Sequence, residues 1–486
     1  LESTENPDFY KKKVTLMAAD TAVNKTENES PAHEKISLVK LTWPIFLELF
    51  LFMLMGTVDT FMISSVSDDA VSGVGAANQI IQIAILVLSV VGNGAAIVIS
   101  QYLGSRKPLE AADVTASSIT LSLGLGVLLS IIFLVFGGTL LSVLNIQGDI
   151  WVYGRTYIVI VGGFIFFQAL INALAATIRT HGFTKQTMLL SLLMNILHVV
   201  GNYILIFGHF GFPALGVQGA AISTVLSRLI CLFLFFLLMY RIMEVRIKWS
   251  SYILLSKSYV MKILKIGIPS AFESIIYQAC QLVFTLYITY LGAEALATRQ
   301  YALNISSYVY LFSMAVAMGT SIIVGHLVGA RRPQEAYKRV FQSVKWALLA
   351  TVLIDAVAIA FRIPLFGLFT DNENIILMGA QVMLLSFLLE TGRTTNLIII
   401  NSLRASGDAH FPVYMGLISM VIMSLPLAYV LVFQLHLGLA GVWLANAADE
   451  WLRAVIMYFR WRSRAWEKHA LVEHEPAEGE TKPAMG

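Results

Sequence analysis

A few acidic and basic side chains stand inside long apolar runs of this sequence, where ionised groups are costly. Asp59 lies deep in one such run, within Met55-Gly-Thr-Val-Asp59-Thr60. A carboxyl group withdrawn from water either holds a proton or binds a cation, so Asp59 is a candidate cation-coupling residue. Glu48 and Glu273 each follow a proline by four residues, after Pro44 and Pro269. For Glu48 the spacing favours a structural role near a helix end. For Glu273 structural and coupling roles weigh evenly. Glu390 and Arg393 are three residues apart, and Arg453 follows Glu450 by three and Asp449 by four. On a helix each set shares a face. Arg393, Asp449, Glu450 and Arg453 therefore read as a charge network, either static or opened by protonating one acid. Asp355 stands alone in its run and has no partner in the pattern.

Polar side chains scattered among aromatics form a second class. Gln168, Asn172, Asn202, Tyr277, Gln281 and Asn304 are candidate cavity residues, since apolar walls with dispersed polar groups suit large amphipathic ligands. Asn195, Tyr203, Gln278 and Tyr308 share this setting, and each such residue can equally serve as helix–helix glue. His198 reads as a satisfied packing residue within titration range. There is no Walker P-loop, no zinc-type spacing and no nucleophile constellation, so neither an ATP-driven pump nor an enzyme is expected, and no cofactor.

The elements that hold these residues follow from composition. Of 486 residues, 57% are hydrophobic and 13% charged, about half the charge of a soluble protein. That excludes an ordinary soluble enzyme, a nucleic-acid binder and a disordered chain. Continuous apolar runs predict helices near 37–65, 72–102, 114–137, 151–178, 185–208, 215–242, 262–291, 296–327, 339–366, 377–403, 411–434 and 440–462. The runs do not alternate, which excludes a strand barrel. Lys and Arg gather in the connections after even-numbered helices, including Arg106, Lys107, Arg179, Lys185, Arg331, Arg332 and Arg404, and after the last helix. The alternate connections are nearly free of them. Both termini are therefore expected in the cytoplasm.

Shifting the sequence by 225 residues overlays it on itself. Pro44 falls on Pro269, Glu48 on Glu273, Gly104 on Gly329, Arg106 on Arg331, Pro108 on Pro333, Arg179 on Arg404 and Gly182 on Gly407. The expected fold is all-α integral membrane, with twelve transmembrane helices in two six-helix lobes related by an internal parallel repeat. The expected divisions are a disordered N-terminal tail 1–35, an N-lobe 36–245, a basic cytoplasmic linker 246–260, a C-lobe 261–466 and a disordered cytoplasmic tail 467–486. Cys231 and Cys280 are too few for a disulfide framework. The first 35 residues hold no signal-peptide apolar region, and the chain opens on Leu, with Met17 an expected natural start.

Several stretches resemble the multidrug and toxic compound extrusion (MATE) family over about 38–460. They are Gly56-Thr-Val-Asp59-Thr, Gln101-Tyr-Leu-Gly104, and Gly201-Asn202-Tyr-Ile-Leu-Ile-Phe-Gly-His-Phe-Gly leading to Leu215-Gly-Val-Gln-Gly-Ala-Ala. The second lobe adds Gln300-Tyr-Ala-Leu-Asn304-Ile-Ser-Ser, Val324-Gly-His-Leu-Val-Gly329 and Leu403-Arg404-Ala-Ser-Gly-Asp408. The loop Gly104-Ser-Arg-Lys-Pro-Leu-Glu does not match the major facilitator pattern. The resemblance implies a secondary antiporter in the cell membrane that exports amphipathic organic cations in exchange for H⁺ or Na⁺ by alternating access. It implies a coupling role for Asp59. Asn202 stands where one branch carries a second aspartate, as in NorM-like members.

The NorM-like C-lobe cation site is not matched, since its two acids fall on Tyr277 and Arg393. Arg393 would repel Na⁺, and the expectation is that Glu273 and Glu390 replace that site as a proton-responsive pair. The expected partners are small organic cations and membrane lipid, with the protein acting as a monomer. The alternative is a lipid or oligosaccharide flippase of the wider superfamily. Its strongly cationic lumen is not expected here, because Arg393 and Arg453 are the only candidate cations and both lie close to acids.

Overall fold

Long helices carry the chain back and forth, and the computed structural model describes residues 37–472 apart from 145, 244 and 254. The predicted N-terminal tail and residues 473–486 lie outside them. In the first lobe α1 spans Leu38–Ser64, α2 Asp68–Gly104, α3 Pro108–Val143, α4 Gly148–Gly162 with Ile165–Thr180, α5 Thr184–Phe207 and α6 Val217–Ile242. In the second, α7 spans Lys257–Thr289, α8 Ala293–Gly329, α9 Pro333–Ala360, α10 Glu373–Ser406, α11 His410–Gln434 and α12 Gly438–Arg462. Ten of these are long and apolar enough to cross a membrane, and the bent α4 makes an eleventh. The twelfth, α12, carries Asp449, Glu450 and Arg453 in its middle and is long enough at 25 residues. The molecule is an all-α integral membrane protein of twelve helices in two lobes.

Local chemistry accounts for the helix ends and breaks. Pro108 and Pro333 open α3 and α9, where a missing N–H costs nothing. The preceding turns place Arg106 at φ 57° and Arg331 at φ 55°, so the sequence repeat is also a repeat of an unusual left-handed backbone. Gly182 at φ 88° and Gly407 at φ 99° repeat likewise. The helix α4 bends by 47° where a wide π turn, Ile158–Gly162, runs into Gly163. The predicted helix 339–366 instead ends at Ala360, and a short helix Arg362–Gly367 follows.

Apolar clusters fill each lobe. One unites Val74, Ile81, Leu88, Ile158 and Ile165 in the first lobe. Another unites Phe284, Phe366, Val382 and Trp443 in the second. A further cluster joins the lobes, setting Val91, Val98 and Tyr102 of α2 against Ile263 and Ile266 of α7. Within the predicted linker, the short helix Trp249–Ile253 is tied to α3. Ser251 donates to Asp113 Oδ1 at 2.7 Å, and Thr120 donates to the Tyr252 carbonyl at 2.9 Å.

The C-terminal expectation is corrected. A disordered tail from 467 was expected because the stretch is polar and acid-rich, yet the chain folds back over the lobes through Val472. Trp466 stacks on Trp461 at 4.2 Å and is 1% exposed. Leu471 and Val472 are buried in the cluster that joins the lobes. These three apolar side chains supply the burial that offsets the ordering of a polar segment.

Candidate functional site

In the first lobe α1, α5 and α6 converge on Asp59. Asn202, on α5, donates through Nδ2 to Asp59 Oδ1 at 2.7 Å. One turn earlier on α5, His198 brings Nε2 to 3.6 Å from the same oxygen. His198 Nε2 also lies 2.9 Å from Thr224 Oγ1. Thr224 Oγ1 also lies 2.9 Å from the Ala220 carbonyl. Tyr157 of α4 reaches the same group through Thr224 and Asn78, and the charge of Arg228 on α6 acts on both Asp59 and Tyr157. Arg228 Nη1 is buried with no hydrogen-bond partner among the described residues. Asp59 thus accepts from an amide donor, has the His198 imidazole nearby and feels the charge of Arg228.

His198 and Arg228 are additions to the sequence reading. His198 is more than a packing residue because it meets Asp59. Arg228 went unnoticed although the 225-residue offset carries Arg453 onto it. Arg299 on α8 is a further cation missed, donating to Gln281 Oε1 at 3.1 Å. The expectation that Arg393 and Arg453 are the only cations in the helices is therefore corrected.

In the second lobe the charge network closes. Arg393 donates to Glu390 at 2.7 Å and reaches Glu450 at 3.5 Å. Arg453 meets Asp449 at 2.7 Å and Glu450 at 3.1 Å. Asn396 donates to Glu450 Oε2 at 2.8 Å, and Ser419 donates to Asp449. Tyr310 lies under the Arg393 guanidinium at 5.9 Å, and Tyr277 lies within the field of both arginines.

The expected Glu273–Glu390 pair is not what the structure brings together. Glu273 is held by Arg404 at 2.5 Å, as Glu48 is held by Arg179 at 3.1 Å. The two bridges are repeat images, each spanning 131 residues of chain. A guanidinium partner satisfies Glu273 before a second carboxylate can, because like charges repel. Among the cavity candidates, Gln168 and Asn172 bond each other at 2.8 Å, Gln281 is engaged by Arg299, and Asn304 is exposed.

The lobes meet where the basic connections are. A Cβ on Gly104 would collide with the His326 carbonyl, and one on Gly329 with the Gln101 carbonyl. Gln101 donates across to the Ala405 carbonyl at 2.7 Å, and its repeat image His326 donates across to the Thr180 carbonyl at 2.8 Å. The C-terminal segment adds a bond without an image, from Leu471 N to Gln101 Oε1 at 2.8 Å. Farther along, Phe46 packs edge-on against Phe312, and Phe50 lies beside Tyr308.

Comparisons with known proteins agree with this architecture. The MatE family model matches residues 44–204 and 269–430, one match per lobe. The uncharacterized transporter YisQ of Bacillus subtilis is 40% identical over 441 residues, covering 91% of this chain and 97% of that protein. A probable multidrug resistance protein NorM of Thermotoga maritima is 28% identical, covering 90% and 94%. A structure described as an outward-facing multidrug resistance MATE family transporter superposes with a TM-score of 0.82 at 20% identity, covering 89% of this chain and 96% of that one. With a family match in both lobes and a relative aligned over nearly its whole length, the chain belongs to the MatE family of multidrug and toxic compound extrusion transporters.

Proposed function

We propose that this transporter is a proton-driven antiporter of the cell membrane that exports amphipathic organic cations. The observation that carries the choice of proton is the pairing of Asp59 with an N–H donor and a nearby positive charge. A metal cation needs several oxygen ligands, whereas Asn202 presents an N–H group to Asp59 and Arg228 adds positive charge. A proton needs only the carboxylate. The NorM relatives, described as probable multidrug resistance proteins, support the substrate class.

The Lys- and Arg-rich connections support a cytoplasmic placement of that end and of both termini. With the lobes in contact there, the conformation is read as outward-facing. Protonating Asp59 removes the charge that balances Arg228 and accepts from Asn202. The freed guanidinium then disfavours a cationic substrate in the same lobe, which leaves outward. The relaxed lobe permits return. Such coupling requires proton and substrate to favour different states.

The test is efflux of a fluorescent organic cation from proteoliposomes. A pH gradient alone is expected to drive it, and a Na⁺ gradient alone is not. Efflux driven by Na⁺ at equal pH would reject proton coupling.

A further inference from the structure

Asp355 has no place in the coupling scheme above, and the sequence pattern gave it no partner. The structure places it opposite Glu390. Thr351 of α9 meets Thr394 of α10 through their hydroxyls at 3.0 Å. These consecutive helices run antiparallel. Asp355 lies four residues after Thr351, and Glu390 four residues before Thr394. Both steps go one helical turn in the same direction, so the two acids lie at the same level, one turn beyond the threonine contact. Glu390 is the acid whose charge acts on Asp355.

Both carboxyls are enclosed, Asp355 being 3% exposed and Glu390 1%. Each has an oxygen, Asp355 Oδ2 and Glu390 Oε2, with no hydrogen-bond partner among the described residues. The surrounding charges do not balance them. On α12, Arg453 is engaged by Asp449 and Glu450. On α10, Arg393 is shared between Glu390 and Glu450. Two arginines thus face four acids, counting Asp355. From α8 comes Tyr310 and from α7 Tyr277. Glu273 acts on Arg453 but is itself bridged to Arg404. Arg362, beyond the end of α9, donates to the Ile359 carbonyl at 2.9 Å. Arg393 thus bridges Glu390 and also acts on Asp355, but it is shared with Glu450, and one cation does not balance two carboxyls that also have orphaned oxygens.

We propose that Asp355 and Glu390 form a carboxyl pair that holds one exchangeable proton in the second lobe, a site distinct from Asp59. Two neighbouring carboxylates away from water do not both ionise. One O–H bond forms at Oδ2 of Asp355 or Oε2 of Glu390, the proton coming from water, while the other carboxylate keeps its charge. The same bond breaks when the proton returns to water. Arg393 beside Glu390 disfavours a sodium ion at the pair. The site is read from geometry alone. Only its use in transport rests on the proton-antiport reading.

The test reads the proton without transport. Infrared spectra of the purified full-length protein, recorded in H₂O and D₂O, report the carbonyl stretch of protonated carboxyl groups. In an Asp59→Asn background, one such band that disappears at alkaline pH is expected. Asp355→Asn and Glu390→Gln should each remove it, and the double variant should remove no more than either alone. Both changes are isosteric, and thermal melting checks that each variant folds. A band unaffected by both substitutions would overturn the proposal, as would a band lost from the Asp59→Asn protein when Na⁺ is added at constant pH. Failure of gradient-driven efflux with the band intact would reject the antiport reading and leave the pair standing.

Discussion

At the scale of single residues, the two lobes solve the same problem differently. Each carries an arginine at the same repeat position of its last helix, the half-buried Arg228 and the buried Arg453. Arg453 is answered by two adjacent acids on its own helix. Arg228 is answered from a distance by Asp59 of α1, and one of its nitrogens stays unpaired. A guanidinium bridged to two close carboxylates is a fixed part of the lobe, whereas one balanced only from a distance is sensitive to the charge of its neighbour. Arg453→Met should therefore destabilise the fold by about 3–5 kcal/mol, because it leaves buried carboxylates uncompensated; a thermal melt reads this. Asp59→Asn should fold normally and lose gradient-driven efflux. Arg228→Lys, which keeps the charge on a shorter reach, should retain part of that efflux, and Arg228→Gln should lose it. Equal efflux from Lys and Gln variants would show that the Arg228 charge has no part in coupling.

Sequence alone made several of these residues legible and hid others for a definite reason. Asp59 stood out because an acid in an apolar run has few bland explanations. The Glu390–Arg393 and Asp449–Glu450–Arg453 sets were visible because helical spacing fixes neighbours on one helix. Glu273 was expected to face Glu390, but its partner Arg404 comes from a different helix, and helical spacing says nothing about which helices touch. The repeat did contain the missing hint, since Glu48–Arg179 and Glu273–Arg404 have the same separation.

At the scale of elements, glycine decides where backbones cross. The basic ends of α2 and α8 approach so closely that each terminal glycine lies against a carbonyl of the other helix. Side chains at Gly104 or Gly329 would force the helices apart, and with them the Gln101–Ala405 and His326–Thr180 bonds. Gly104→Leu and Gly329→Leu are each expected to open this end. Cysteine pairs placed across α2 and α8 would then crosslink less than in an otherwise unchanged protein. Crosslinking at the unchanged level would mean that the close approach does not hold the lobes together. The wide π turns Ile158–Gly162 in α4 and Ser419–Ser424 in α11 lie outside the motifs quoted above.

At the scale of the whole molecule, the repeat explains most of the lobe contact but not all of it. Two cross-lobe bonds are images of each other. A further one, from Leu471 N to Gln101, has no image and comes from the segment that returns after the second lobe. Gln101 thereby joins three parts of the chain: α2, the end of α10 and the C-terminal segment. Deleting residues 465–486 should weaken closure at the basic end and raise solvent access to engineered cysteines near Tyr102, measured by thiol labelling. Gln101→Ala should do the same to a similar degree, and labelling unchanged in both would show the segment to be passive.

Sequence by itself determined that this chain is a twelve-helix membrane protein, because continuous apolar runs of this length satisfy their backbone in a bilayer only as helices, and most of the charge falls in the loops. It also determined the two lobes and the family resemblance, since an internal repeat and linear motifs are properties of order along the chain. Only the tertiary structure decided which buried charges are neighbours. It set Asn202 and His198 beside Asp59, gave Glu273 to Arg404, brought Asp355 level with Glu390 and drew the end of the chain across the lobes. Those choices depend on which helix faces pack together, and the spacing of residues within one helix does not encode them.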